Sequence, residues 1–182
     1  DFVVGYSAGQ FLNQRFSSLE DSILSSSRAV ESFFSGVTFS GEFKQNKLSL
    51  SPYLRLTGIW TTLGAYTENT SSPLGLNYDN MSISQYSITF GQRFEYNMKV
   101  GEKTFTPTAR LEYTNSFSPM ATQPMNYSDD LSQKYYLDIN AEQYSYGLAA
   151  VGMRAKFFQD TSIDLEYSLS SSFLFNLPII FR

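Results

Sequence analysis

Between residues 82 and 117, in SISQYSITFGQRFEYNMKVGEKTFTPTARLEYTNSF, hydrophobic and polar side chains sort by parity. From Tyr86 the even positions are Tyr86, Ile88, Phe90, Gln92, Phe94, Tyr96 and Met98, and the odd ones are Ser87, Thr89, Gly91, Arg93, Glu95, Asn97 and Lys99. Beyond VGEK the parity switches: Phe105, Pro107, Ala109, Leu111, Tyr113 and Phe117 oppose Thr104, Thr106, Thr108, Arg110, Glu112 and Thr114. Side chains of a strand alternate between faces, so this stretch predicts a hairpin with one greasy and one polar face. Each strand is far longer than the five or six residues typical of a soluble sheet.

The alternation recurs along the chain. Phe33, Val37, Phe39 and Phe43 oppose Gly36, Thr38, Ser40 and Glu42, and Leu48, Leu50, Pro52, Leu54, Leu56 and Trp60 oppose Ser49, Ser51, Tyr53, Arg55 and Thr57. Ala149, Val151, Met153, Ala155 and Phe157 oppose Gly152, Arg154 and Lys156, and Ile163, Leu165, Tyr167, Leu169 and Phe173 oppose Asp164, Glu166, Ser168 and Ser170. The first segment, FVVGYSAGQFL, carries the pattern less cleanly. Three connections read as tight turns, around Gln45-Asn46, Gly101-Glu102 and Gln159-Asp160, and three as long polar loops, over residues 17–24, 67–80 and 118–133. The serine-rich first loop is read as a hairpin tip between two tall strands.

Tall two-faced strands with short turns on one rim and long loops on the other predict an all-β, antiparallel up-and-down transmembrane β-barrel, with the short turns periplasmic. The count is about seven long strands, with a short eighth at residues 177–181. Lipid is expected on the apolar face and a polar lumen on the other. Every backbone group in the bilayer must be bonded within the protein, so such strands have to close into a ring. No linker or charge block divides the chain, and residues 1–182 are expected to form a single outer-membrane β-barrel domain.

Composition narrows the chemistry. There is no run of about eighteen apolar residues to make a spanning helix, and alternation hides a membrane barrel from any average hydropathy. Cys and His are both absent, which removes disulfides, thiolate chemistry, Ser-His-Asp hydrolysis and the usual transition-metal ligands. A net charge of −4 and a pI near 4.8 argue against a nucleic-acid partner. The carboxylate pair Glu112 and Glu166 could suggest glycosidase chemistry, but carboxylates held by cations are shifted the wrong way for a general acid. Asp129 and Asp130 supply too few oxygens for a Ca²⁺ site. No enzyme activity and no cofactor are expected.

At LSLSPYLRLTGIWTTLGAYTEN the sequence resembles the C-terminal translocator barrel of autotransporters, the type V secretion proteins. Leu50, Pro52, Tyr53, Arg55 and Leu56 match its "L-x-P-Y-x-R-L" strand, and Tyr66 and Glu68 its "Y-x-E" at the loop. Pro107, Ala109, Arg110, Leu111, Glu112 and Tyr113 are similar to its next strand, and YSYGLAAVGMRAKF with SIDLEYSLS to its penultimate hairpin. The resemblance runs over residues 32–173. It implies a porin-like but non-enzymatic outer-membrane barrel that anchors and helps export an N-terminal passenger across a Gram-negative outer membrane. Its partners would be outer-membrane lipid, the passenger segment and the barrel-assembly machinery, with the long loops at the cell surface. Family barrels have about twelve strands, so the chain is expected to be part of a larger ring. The alternative is a small closed eight-stranded barrel that acts as an adhesin through its long loops. A soluble β-sandwich binding module is a third class, with strands about half as tall.

Two residue sets follow from the pattern. Arg55, Arg93, Glu95, Arg110, Glu112, Arg154, Lys156, Asp164 and Glu166 share the polar parity and are expected to form a lumen charge network of complementary pairs, with Arg93 and Glu95 facing Arg110 and Glu112. Trp60, Tyr66, Tyr113, Phe117 and Tyr144 toward the long-loop rim, and Phe43, Tyr96, Phe105 and Phe157 toward the short-turn rim, are expected to form two aromatic girdles at the bilayer interfaces.

Overall fold

A computed structural model describes residues 1–17, 21–68, 75–101, 103–158 and 161–173. The chain-order strands are β1 (Phe2–Ser17), β2 (Ser22–Ser40), β3 (Phe43–Gln45), β4 (Leu48–Leu63), β5 (Tyr66–Thr67), β6 (Leu76–Tyr78), β7 (Met81–Tyr96), β8 (Met98–Val100), β9 (Lys103–Ser118), β10 (Ala121–Tyr127), β11 (Tyr135–Ile139), β12 (Glu142–Phe158) and β13 (Thr161–Phe173). Seven long strands run β1-β2-β4-β7-β9-β12-β13 in one antiparallel sheet, with β3 and β8 attached to β4 and β9. A second, smaller sheet has the order β11-β10-β6-β5. Among the described residues there is no helix, and no ladder joins β1 to β13. The short strand expected at residues 177–181 and the turn at Gln159-Asp160 lie outside the described residues.

Register follows parity along the long ladders, with one shift between Lys156 and Phe158 at the end of β12. Phe90 faces Tyr113, Gln92 faces Leu111, and Thr89 faces Thr114 across β7 and β9. Ala149 and Val151 stand between Leu111 and Ala109 on one side and Leu169 and Tyr167 on the other. Because the period is two, a slip of one residue would mix the faces in every ladder. The turn at Gly101 is set by a left-handed backbone (φ +64°) that glycine adopts without strain, and Asn46 takes the same region at the other turn (φ +57°).

Two prolines shape the short-turn rim. The β2–β4 ladder runs to Ser40 and Tyr53 and resumes in β3 at Phe43 and Leu50, with the break beside Pro52. The β7–β9 ladder runs to Glu95 and Thr108 and resumes in β8 at Met98 and Phe105, with the break beside Pro107. Proline has no N–H for the ladder. Its carbonyl remains useful: Gly41 N–H donates to Pro52 O at 3.0 Å.

Burial is inverted relative to a protein folded in water. Thr114 and Ser116 are 2% and 1% exposed, while Phe90 and Leu111 on the opposite face are 56% and 55% exposed. The direction of curl accounts for it. On the polar face side chains two strands apart meet: Tyr53 of β4 with Glu112 of β9, Gln85 of β7 with Tyr144 of β12, and Arg110 of β9 with Glu166 of β13. On the apolar face, the ring contacts among the described residues join neighbouring strands, as in Phe33–Trp60, Trp60–Tyr86, Tyr86–Phe117 and Phe105–Phe157. The polar face is therefore the inner side of a curled sheet and the apolar face its outside.

Long strands exceed the nine to eleven residues needed to cross a bilayer, so their ends stand clear of it. One expected loop is much shorter than 17–24, since β1 and β2 pair through Ser17 and Ser22. Serine pairs readily across strands, and its polarity there does not signal a loop. The other two expected loops are partly ordered into the small sheet.

Candidate functional site: the inner face and its rim

The centre of the inner face is a strand-crossing polar chain. The Arg55 guanidinium lies 5.4 Å from the centroid of the Tyr53 ring. The Tyr53 hydroxyl donates to Glu112 Oε1, which also accepts from Arg110 Nη1 at 2.9 Å. Arg110 Nη2 reaches Glu166 at 2.5 Å. Small residues under the crossings make them fit. Gly91 stands opposite Tyr53, and a Cβ there would fall within 2.5 Å of the ring's Cε1 and Cε2. Ala150, opposite Arg110, is 4% exposed beneath the guanidinium's path to β13. Arg110 Nε is the one buried side-chain polar atom among the described residues with no partner.

The remaining charges of the expected network are less tightly drawn in. Arg154 Nε bonds Asp164 Oδ1 at 2.7 Å, with both side chains about half exposed. Arg93 stands opposite Arg110, and Glu95 opposite Thr108 and Ser49. Arg110 bonds Glu112 and Glu166, while Glu95 stands on the other flank of β9, opposite Thr108. Lys156, near the β12–β13 turn, is exposed.

The aromatic sets divide. Trp60 and Phe117 belong to an outer row with Phe33 and Tyr86, in which Trp60 Nε1 donates to Tyr86 OH at 3.2 Å. Tyr113 is also outward, its hydroxyl on Ser145 Oγ at 3.2 Å. Phe43, Tyr96, Phe105 and Phe157 lie toward the short-turn rim, with Phe105 edge-on to Phe157 and Lys103 Nζ 5.5 Å from the Phe157 centroid. Two residues depart from the expected girdle. Tyr144 pairs with Ser116 on the inner parity and accepts from Gln85 Nε2 at 2.7 Å. Tyr66 lies in the small sheet, stacked on Tyr78 at 4.4 Å.

Arg28 is a feature that alternation alone does not single out. Its inner-face guanidinium donates to Gly64 O (2.7 Å), Leu63 O (3.3 Å), Asp79 O (3.3 Å) and Gln123 Oε1 (2.8 Å), and lies 5.3 Å from the Tyr66 centroid. Gln123 in turn donates to Asp79 O and Pro124 O. Arg28 and Gln123 are buried, at 8% and 3% exposure. A lone arginine in a serine-rich run is the only signal that could have drawn attention to it.

On the rim, burial and then the neighbouring Tyr78 push the Tyr66 hydroxyl up to about 12. The hydrogen bond from Lys134 to Asp79 raises that ammonium, and Ser132 holds the Asp130 carboxyl below its ordinary range.

The family model for the autotransporter beta-domain matches residues 1–168. This chain belongs to the autotransporter beta-domain family. That family is one of membrane barrels rather than of enzymes, and it places the domain in the outer membrane. Among solved structures the domain is similar to the RagAB peptide transporter, at 15% identity and a TM-score of 0.40, covering 82% of this chain and 18% of that one. It is similar to a major outer membrane protein from Thermus thermophilus (11% identity, TM-score 0.36, 92% of this chain and 82% of that one). The beta domain of the Bordetella autotransporter Brka gives 9% identity and a TM-score of 0.20, over 93% and 92% of the two chains. No curated protein matches the chain.

Proposed function

We propose that this domain anchors an N-terminal passenger in the outer membrane and helps carry it to the cell surface. The observation that supports this most directly is the inverted burial, in a chain of this family: apolar rings outside, hydroxyls and ion pairs inside. The outer face replaces water by lipid at no polar cost. The inner face offers an unfolded passenger hairpin the hydroxyls and charges with which its backbone can exchange water. The lumen network of Arg55, Arg93, Glu95, Arg110, Glu112, Arg154, Lys156, Asp164 and Glu166 then fixes the register of β4 through β13 and meets the passing chain. The barrel-assembly machinery is the proposed partner for insertion, and the long-loop rim is proposed to face the cell exterior.

An isolated ring of seven or eight strands would be filled by its own side chains. Among the described residues β1 and β13 have no ladder on their outer edges, and backbone groups left unbonded there would not be tolerated in lipid. We propose further strands, to about twelve, that complete the ring.

The test is an epitope placed upstream of Asp1 in the full-length protein, read by antibody on intact cells. Surface signal that depends on the strands from Met81 to Phe173 is expected. An epitope that stays in the periplasm while the barrel inserts would overturn the export reading, and the adhesin alternative would then take its place.

A further inference from the structure

The small sheet crosses the inner face as a chord. Gln123 lies on β10, directly after β9, whereas Arg28 lies on β2. Along the large sheet β4 and β7 stand between β2 and β9, a path of about 14 Å at the usual strand spacing. The long Arg28 and Gln123 side chains bridge this separation, with Nη2 and Oε1 2.8 Å apart, and they meet on the concave side. Consistent with this, Arg28 has the inner parity, opposite Phe11 of β1, and β5 and β10 pack on β2 and β7. Of the four buried hydrophobic residues described, Met81 and Ala121 each lie two residues along the chain from the joint, Met81 from Asp79 and Ala121 from Gln123.

The acceptors of Arg28 make the joint reversible. They are three backbone carbonyls and one side-chain amide oxygen, all uncharged. An extended polypeptide carries the same carbonyl acceptors, so a chain moving through could satisfy the guanidinium while the small sheet lifts. A carboxylate partner would be far costlier to leave.

We infer that the sheet β5-β6-β10-β11 is a lid over the long-loop mouth of the inner face, latched by Arg28 and Gln123, that shuts the passage to small polar solutes when no chain is in transit. This rests on the reading that the inner face lines a passage. The full-length protein in planar lipid bilayers provides the test, through the fraction of time spent open, with proteolysis of residues 128–134 as a second measure of lid release. Loss of one charge-assisted bond changes an equilibrium by roughly tenfold, so Gln123→Ala is expected to raise the open fraction about that much and Arg28→Ala more, with Arg28→Lys between. Lys99→Gln, exposed on the opposite rim and away from the latch, should leave both measures unchanged. Heat-modifiable mobility confirms folding, and Gln123→Ala carries both readouts should Arg28→Ala not fold. A variant whose loop becomes protease-sensitive while conductance stays at the wild-type level would show that the lid does not close the passage. Unchanged proteolysis would show that Arg28 is not the latch. Either overturns the inference. A wild-type epitope that fails to reach the surface sinks the export reading separately.

Discussion

Gly91 on β7 and Tyr53 on β4 offer a sharp test of how the inner face is assembled. With no side chain at Gly91, the Tyr53 ring lies flat over the backbone and its hydroxyl reaches Glu112 two strands away. A Cβ would meet three ring atoms. Gly91→Ala therefore forces the ring off its seat, an overpacking cost of about 1–3 kcal/mol. Moving the ring also loosens the bond to the Glu112 carboxylate, a charge-assisted hydrogen bond worth about 1.5–3 kcal/mol. The two terms overlap, because one displacement causes both, so a net loss of about 2–4 kcal/mol is expected. In a Tyr53→Leu background the obstruction is gone. There Gly91→Ala should cost nothing, or even stabilise by about 0.5 kcal/mol, since glycine is unfavourable in a strand. Urea unfolding in detergent micelles, followed by heat-modifiable mobility, measures all four variants as a double-mutant cycle. The same cost for Gly91→Ala in both backgrounds would refute the stacked geometry.

Charge on the outer face should be far less tolerated than on the inner: Leu111→Arg is expected to cost about 2–4 kcal/mol in lipid and block assembly, while Thr108→Arg assembles, and the reverse ranking in membrane fractions would mean the faces are exchanged. Arg110→Glu sets like charge beside Glu112 and Glu166, so Glu166→Arg should restore much of the lost urea resistance whereas Glu95→Arg should not. Tyr66, raised to about 12, keeps its proton while an unfolded tyrosine would lose it near 10.0. Its contribution is thus complete below pH 10 and disappears as pH climbs toward 12. Ultraviolet titration of tyrosinate in wild type and Tyr66→Phe should differ by one late-titrating group, and identical curves would remove the buried stack.

Much of the architecture is carried by local information. A strand's faces are set by a period of two, so Phe90 and Thr89 were separable from sequence alone, as were the seven tall strands and the turn at Gly101. The same parity brought Arg110, Glu112, Glu166, Arg154 and Asp164 to one face. Parity says nothing about distance along a face. The partners of Arg110 are decided in the assembled sheet, where it bonds Glu166 two strands away on β13 and not Glu95 on the adjacent β7. Tyr144 shows the limit from another side: its neighbours suggested a girdle, but its even number in β12 turns it inward to Gln85. The chord from Arg28 to Gln123 joins residues 95 apart in the chain, and no pattern in either segment encodes the other. It exists because the sheet curls toward its polar face, so that tops of strands that are distant along the arc come close. Curvature is a property of the assembled sheet, set by the packing of side chains such as Tyr53 over Gly91, and only the tertiary structure decides which loops can fold across the mouth.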